Sequence, residues 1–132
     1  LNRRIVQAWQ LAGVTITEPH STWIDVTVSL ARDVTLLPSV RLHGLTQIGT
    51  GSTIGPDSTL TDATVGENVK LSRSDVTSAK IHSGATVGPF AFIRPGTELG
   101  EDGKIGAFVE TKNALIGNGA KVPHLATWAM QP

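Results

Sequence analysis

The chain contains no cysteine, which rules out both a disulfide framework and a thiolate metal site. Aromatic residues make up only 5% of its 132 positions, and eleven basic residues are matched by eleven acidic ones. That balance excludes the strong single-sign field of a nucleic-acid or membrane-surface binder. No apolar run approaches the ~18 residues of a membrane span. Leu1-Asn2-Arg3-Arg4 lacks a signal-peptide core, and no P-loop or Gly-x-Ser-x-Gly elbow occurs. What the chain has instead is glycine, fourteen residues of it, which suits a fold made of tight corners.

It also has a beat. One apolar residue recurs every sixth position at Ile24, Leu30, Leu36, Leu42, Ile48, Ile54 and Leu60, and again at Ile81, Val87, Ile93, Leu99 and Ile105. Four residues after nearly every beat stands something small or β-branched: Val28, Val34, Val40, Thr46, Ser52, Ser58, Thr64, Ala85, Ala91 and Thr97. A period of six fits neither a 3.6-residue helix nor a simple alternating strand. It fits a solenoid whose short strands turn a corner every hexad, so that each repeat buries its face only against its neighbours. Three hexads make one triangular turn, and the chain has room for roughly six turns, a prism of ~30 Å at ~4.8 Å per turn. The rhythm slips to five residues at Leu60 to Val65, Leu71 to Val76 and Val76 to Ile81. There Asp75 and Lys80 fall on expected inward positions, which suggests a locally loosened turn.

Ahead of the hexads, Asn2 to Ala12 reads as a short helix with Ile5, Val6, Trp9 and Ala12 on one face and Gly13 as its stop. About ten residues is marginal for an isolated helix, so these are expected to be the last turns of a longer one. Val14 to Pro19 reads as an extended connection, with the hexads starting around Trp23.

Stacking brings distant residues together. Arg94 follows the beat Ile93, and Lys112 follows the beat position Thr111, so the two cations share one slot on successive turns. With backbones ~5 Å apart they repel by at most about 0.8 kcal/mol in water and ~3 kcal/mol at an effective dielectric of 20. An unbalanced pair of this kind suits an anion, most naturally a phosphate held by a bidentate Arg with Lys as a point charge. Two solvated surface charges neutralised by Glu98 and Glu110 fit the spacing equally well. His124, at the corner leading back to that face, has the ordinary pKa of ~6.5 that suits a general base, and a purely structural role suits it too. His20, His43 and His82 lack the close spacing of metal ligands, so no metal is expected and a zinc-bearing β-helix hydratase is disfavoured.

Three motifs then occur in order: Gly88-Pro-Phe-Ala-Phe-Ile-Arg94-Pro-Gly, Gly106-Ala-Phe-Val-Glu-Thr-Lys112-Asn and Lys121-Val-Pro-His124-Leu. Together they closely resemble the bifunctional N-acetylglucosamine-1-phosphate uridylyltransferase/glucosamine-1-phosphate acetyltransferase family, of the actinobacterial type. Leu1-Asn-Arg-Arg and Ala12-Gly-Val-Thr resemble the end of that family's linker helix. The resemblance covers Leu1 to Leu125.

It implies an all-β left-handed parallel β-helix, an exception to the usual right-handed crossover, assembled as a cytoplasmic homotrimer with active sites shared between subunits. The implied domains are 1–13, the end of the linker helix; 14–125, the N-terminal part of the acetyltransferase β-helix; and 126–132, a tail outside the family pattern. The implied reaction moves an acetyl group from acetyl-CoA to the amine of glucosamine 1-phosphate, a step toward UDP-N-acetylglucosamine. Arg94 and Lys112 would bind the sugar phosphate and His124 would take the proton from the attacking amine. Magnesium would belong only to the uridylyltransferase domain, whose motifs this chain lacks, and the coils that bind acetyl-CoA do not follow here.

The tail departs from the family. Three residues after the histidine the family has a substrate-binding tyrosine, and here stands Thr127. The family stretch Ser-Tyr-Val-Gly-Asp-Ala-Thr, suitably encoded and read one base out of frame, becomes Ala-Thr-Trp-Ala-Met-Gln-Pro, the residues from Ala126 to Pro132. A frameshift after Leu125, and little activity in this chain, are therefore expected. The competing expectation is a non-catalytic β-helix that trimerises or props up a nucleotidyltransferase domain. A related O-acetyltransferase would explain neither the linker helix nor the Arg/Lys/His set.

Overall fold

The computed structural model describes residues 1–123 and the backbone of Thr127–Ala129. Among the described residues, twenty short strands paired only in parallel wind into a three-sided β-helix preceded by one α-helix, Asn2–Leu11. The first face stacks Thr15–Ile16, Thr35–Leu36, Thr53–Ile54, Lys70–Leu71, Thr86–Val87, Lys104–Ile105 and Lys121–Val122. The second stacks Trp23–Ile24, Val40–His43, Ser58–Thr61, Asp75–Thr77, Phe92–Ile93, Glu110–Lys112 and Thr127–Ala129. The third runs from Ser29–Leu30 through Gln47–Ile48, Thr64–Val65, Lys80–Ile81 and Glu98–Leu99 to Leu115–Ile116. No helix occurs between residues 30 and 110.

The six-residue beat is the core. Ile24, Leu36, Leu42, Ile54, Leu60, Ile81, Ile93, Leu99 and Ile105 are all fully buried, and Ile48 nearly so. The small residues between them line the prism corners, because a triangular cross-section leaves no room for larger side chains there.

The solenoid begins one rung earlier than the hexads do. Thr15–Ile16 already pairs with Thr35–Leu36, and a 3-10 turn at Pro19–Ser21 takes up the extra chain. The helix closes this end: Val6 is buried, with Ile5 and Trp9 packed against the core. Asn2 fastens it, donating through Nδ2 to the Thr22 carbonyl at 2.7 Å and accepting the Ile24 amide at 3.0 Å. An end rung otherwise offers unpaired backbone groups, so both contacts satisfy groups that an open mouth would expose.

The expectation of a loosened turn around Asp75 and Lys80 is corrected. Asp75 is only partly buried and Lys80 and Thr64 are exposed, while Ala63, Ser74 and Ala79 take the inward positions. The shortening falls in the corners, and the rungs stay in register at Thr64↔Lys80 and Thr59↔Asp75. Buried hydroxyls make good the pairing that a shortened coil loses. Thr46 Oγ1 accepts the Ala63 amide and Ser52 Oγ the Val69 amide, each 17 residues on. Ser58 Oγ accepts the Ser74 amide and Ser74 Oγ the Ala91 amide. Each hydroxyl also donates to a carbonyl: Thr46 to that of His43, Ser52 to that of Gly66 on the next coil, Ser58 to that of Pro56 and Ser74 to that of Ser72.

At the corner between the third and first faces, glycine alternates with Asp or Asn. Gly84 has φ +77°, and a β-carbon there would lie 2.0 Å from Oδ1 of Asp102 on the next coil. The aspartate side chain leans over the preceding turn, so the two positions cannot both carry large side chains.

Candidate functional site

Ile93 pairs with Thr111 on the second face, so Arg94 and Lys112, the next residue of each strand, occupy one slot on adjacent rungs. The Arg94 amide donates to the Thr111 carbonyl at 2.8 Å, which holds the two backbones at rung spacing. Both side chains are exposed, because the buried beats Ile93 and Thr111 beside them set the alternation.

The two carboxylates near this slot behave differently. Glu110 reaches Arg94: its Oε2 accepts from Arg94 Nη1 at 2.9 Å. Glu98 turns away onto the third face, where its Oε2 lies 2.7 Å from His82 Nε2. Among the described residues Lys112 has no ion-pair partner. One cation is therefore balanced and the other is not. The Arg94–Glu110 pair is about half exposed on both sides, so it is worth at most about 1 kcal/mol and is displaceable by a better anion.

An aromatic side chain lies against the slot. The Arg94 guanidinium carbon sits 5.4 Å from the ring centroid of Phe92. At the corner between the first and second faces Phe90 and Phe108 stack with centroids 5.5 Å apart and ring planes 11° from parallel. Phe90 is 53% exposed, Phe92 46% and Phe108 60%. Neither Phe92 nor the Phe90–Phe108 stack was singled out from sequence, although Phe90 and Phe108 stand at equivalent places in the first two motifs.

His124 lies outside the described residues, as do Ala126 and the end of the tail. The backbone of Thr127–Ala129 continues the second face, with Thr127 opposite Glu110 and Ala129 opposite Lys112. Farther up this face, Asp25 accepts the Gly44 amide at 3.0 Å, the Trp23 indole N–H at 2.7 Å and a longer contact from His43 Nδ1 at 3.4 Å. The Gly44 amide above all, with Trp23 and His43, holds its carboxyl below the ordinary carboxylate value. Among the described residues no cluster of three or more His, Cys, Asp or Glu has the geometry of a metal site. No helix of the described residues is long and apolar enough to cross a membrane.

No family model matches the chain. Curated relatives do. The bifunctional protein GlmU of Kineococcus radiotolerans is 60% identical over 125 residues, spanning 95% of this chain and 26% of that protein. GlmU of Clavibacter sepedonicus is 57% identical over 126 residues, 96% of this chain and 26% of its own length. GlmU of Rhodococcus jostii is 59% identical over 125 residues, 95% and 25% respectively. The chain spans about a quarter of the length of these relatives. Among solved structures, the acetyltransferase domain of PglB from Neisseria gonorrhoeae, in complex with acetyl coenzyme A, aligns over 99% of this chain and 65% of its own. Its TM-score is 0.75 at 17% identity. A perosamine N-acetyltransferase from Caulobacter crescentus, bound to CoA and GDP-perosamine, aligns over 96% and 60% with a TM-score of 0.66 at 19% identity. At those identities the likeness is one of fold.

Proposed function

We propose that this chain, a close homologue of the bifunctional GlmU proteins over the segment it shares with them, carries the sugar-phosphate site of a glucosamine-1-phosphate N-acetyltransferase. The observation that carries the reading is the Arg94/Lys112 slot, two outward cations on adjacent rungs of which Arg94 is paired with the Glu110 carboxylate. A phosphate dianion fits that charge: the guanidinium offers a planar fork of donors and the ammonium a mobile point charge.

In the proposed reaction the phosphate anchors the sugar against the second face, and its amine attacks the thioester carbonyl of acetyl-CoA. The carbon–nitrogen bond forms as His124 takes the amine proton. The tetrahedral oxyanion then collapses, the carbon–sulfur bond breaks, and the proton passes to the departing thiolate. Acetyl-CoA is the proposed co-substrate, as the CoA-bound acetyltransferases of like fold suggest. A homotrimer is proposed with it: the Phe90–Phe108 stack is exposed at the corner between the first and second faces, where a second copy would cover it. Because Thr127 stands in place of the family's substrate-binding tyrosine, this chain binds sugar phosphate but turns it over negligibly.

Calorimetric titration of the chain with glucosamine 1-phosphate tests the reading, and a thiol-release assay with acetyl-CoA tests the turnover. Arg94→Ala and Lys112→Ala should each weaken binding by ~1.5–3 kcal/mol, the range for charge-assisted hydrogen bonds. Equal affinity in both variants leaves two solvated surface charges and sinks the proposal.

A further inference from the structure

Arg94 is gripped from two directions. Glu110 takes one N–H of the guanidinium at 2.9 Å, and the Phe92 ring sits 5.4 Å from its central carbon. Phe92 and Glu110 are themselves opposite each other in register, Phe92↔Glu110, on the two rungs that carry Arg94 and Lys112. They form the outward column immediately before the cations.

Phe92 has no structural reason to be aromatic. Its ring is 46% exposed and points away from the core, which at this rung is closed by Ile93 and Ala91. The equivalent outward positions on the same face are Trp23, Arg41, Thr59, Asp75 and Glu110, so the face accepts any residue there. An arginine side chain alone keeps rotamer freedom that it loses on gripping a ligand. A ring under the guanidinium removes part of that freedom in advance, and a face contact leaves the in-plane N–H groups free for an anion. The carboxylate of Glu110 also restrains Arg94, but it occupies a donor to do so.

We infer that Phe92 is a positioning residue for the anion site: its ring face holds the Arg94 guanidinium in the orientation that receives the sugar phosphate. The inference rests on the sugar-phosphate reading above, and it adds a residue that neither charge nor motif would assign to phosphate binding.

The test uses the whole chain with Phe92→Leu and Phe92→Tyr, glucosamine 1-phosphate as the probe, and two readouts. The first needs no ligand. In the wild-type chain the Arg94 side-chain protons, assigned by their loss in Arg94→Lys, should carry a ring-current shift; Phe92→Tyr keeps it and Phe92→Leu abolishes it. The second is the dissociation constant. Phe92→Leu should weaken binding about two- to fivefold, as expected of an exposed cation–π contact, and Phe92→Tyr should restore it. Thermal midpoints of the three chains should agree, since Phe92 stands on the outer face and is about half exposed. An unshifted Arg94 resonance in the wild type overturns the inference, as does equal affinity of Phe92→Leu. Equal weakening by Leu and Tyr overturns it as well, because ring-face contact is then not what matters. A shifted resonance in a wild-type chain that binds no glucosamine 1-phosphate removes the sugar-phosphate reading, and with it this role for Phe92. Loss of binding in Arg94→Ala with no effect of Phe92→Leu keeps that reading and removes only the positioning role.

Discussion

Arg94 and Glu110 sit one rung apart on the second face and share a 2.9 Å hydrogen bond, so the cation proposed for a phosphate already carries a counter-ion. An incoming phosphate must displace or accommodate that carboxylate. Both side chains are about half exposed, which keeps the exchange cheap.

The first prediction follows from this competition. Glu110→Gln removes a negative charge beside the anion slot while keeping a hydrogen-bonding side chain. Inorganic phosphate should bind more tightly by about 1.5- to fivefold, matching the 0.2–1 kcal/mol typical of exposed pairs. The gain should shrink at high salt as screening shortens the reach of the lost charge. Titration at low and high ionic strength checks it, and weaker binding at both would mean that Glu110 holds Arg94 more than it opposes the ligand.

The pairing of Arg94 with Glu110 shows where the sequence stops being informative. Arg94 and Lys112 could be placed in one slot because the hexads between them are intact and every beat from Ile93 to Ile105 is apolar. Glu98 and Glu110 looked equivalent as counter-ions, yet the corner at Pro95 and Gly96 turns Glu98 onto another face, where it meets His82. The shortened coils escape the hydropathy pattern for a related reason. Ala63 and Thr64 are both small, and only the position of the corner decides which of them points inward. Beat residues are legible because only a large apolar side chain fills the prism axis. Corner length is set by backbone geometry and buried hydroxyls, and leaves little trace in hydropathy. The stacked Phe90 and Phe108 did carry a signal: they stand at matching places in successive intact coils, as Arg94 and Lys112 do.

A second prediction concerns acid. The folded state holds the Asp25 carboxyl below its ordinary value of 3.8, chiefly through the Gly44 amide and next through the Trp23 indole. A group whose pKa is lowered by folding contributes stability that is present above its unfolded value and disappears as pH falls through the folded one. Asp25→Asn should therefore lower the thermal midpoint at neutral pH. As pH falls from the ordinary carboxylate value through the lower folded one the two chains should converge, because protonation of the folded carboxyl then removes the wild-type advantage. Melting curves from pH 7 down to about pH 2.5 follow the difference, and a gap that stays constant over that range would show that the lost contribution is not ionic.

The last prediction turns on Ser74, a 5% exposed side chain in the middle of the shortened coils. Its hydroxyl accepts the Ala91 amide at 3.1 Å and donates to the Ser72 carbonyl at 2.7 Å. Ser74→Ala fits the space without a clash, yet leaves a buried N–H with no acceptor and a carbonyl short of a donor. The cost of one buried unsatisfied group is about 1–3 kcal/mol, so urea denaturation should show a loss in that range. Val34→Ala, at an inward position of a full-length coil where no hydroxyl is used, removes apolar volume only and serves as the contrast. Amide hydrogen exchange separates the two mechanisms. In Ser74→Ala the Ala91 amide should lose protection more than its neighbours do, whereas Val34→Ala should lower protection around its own coil without singling out one amide. Uniform exchange across the Ala91 corner in Ser74→Ala would show that the backbone re-pairs without the hydroxyl, and that the shortened coils do not depend on it.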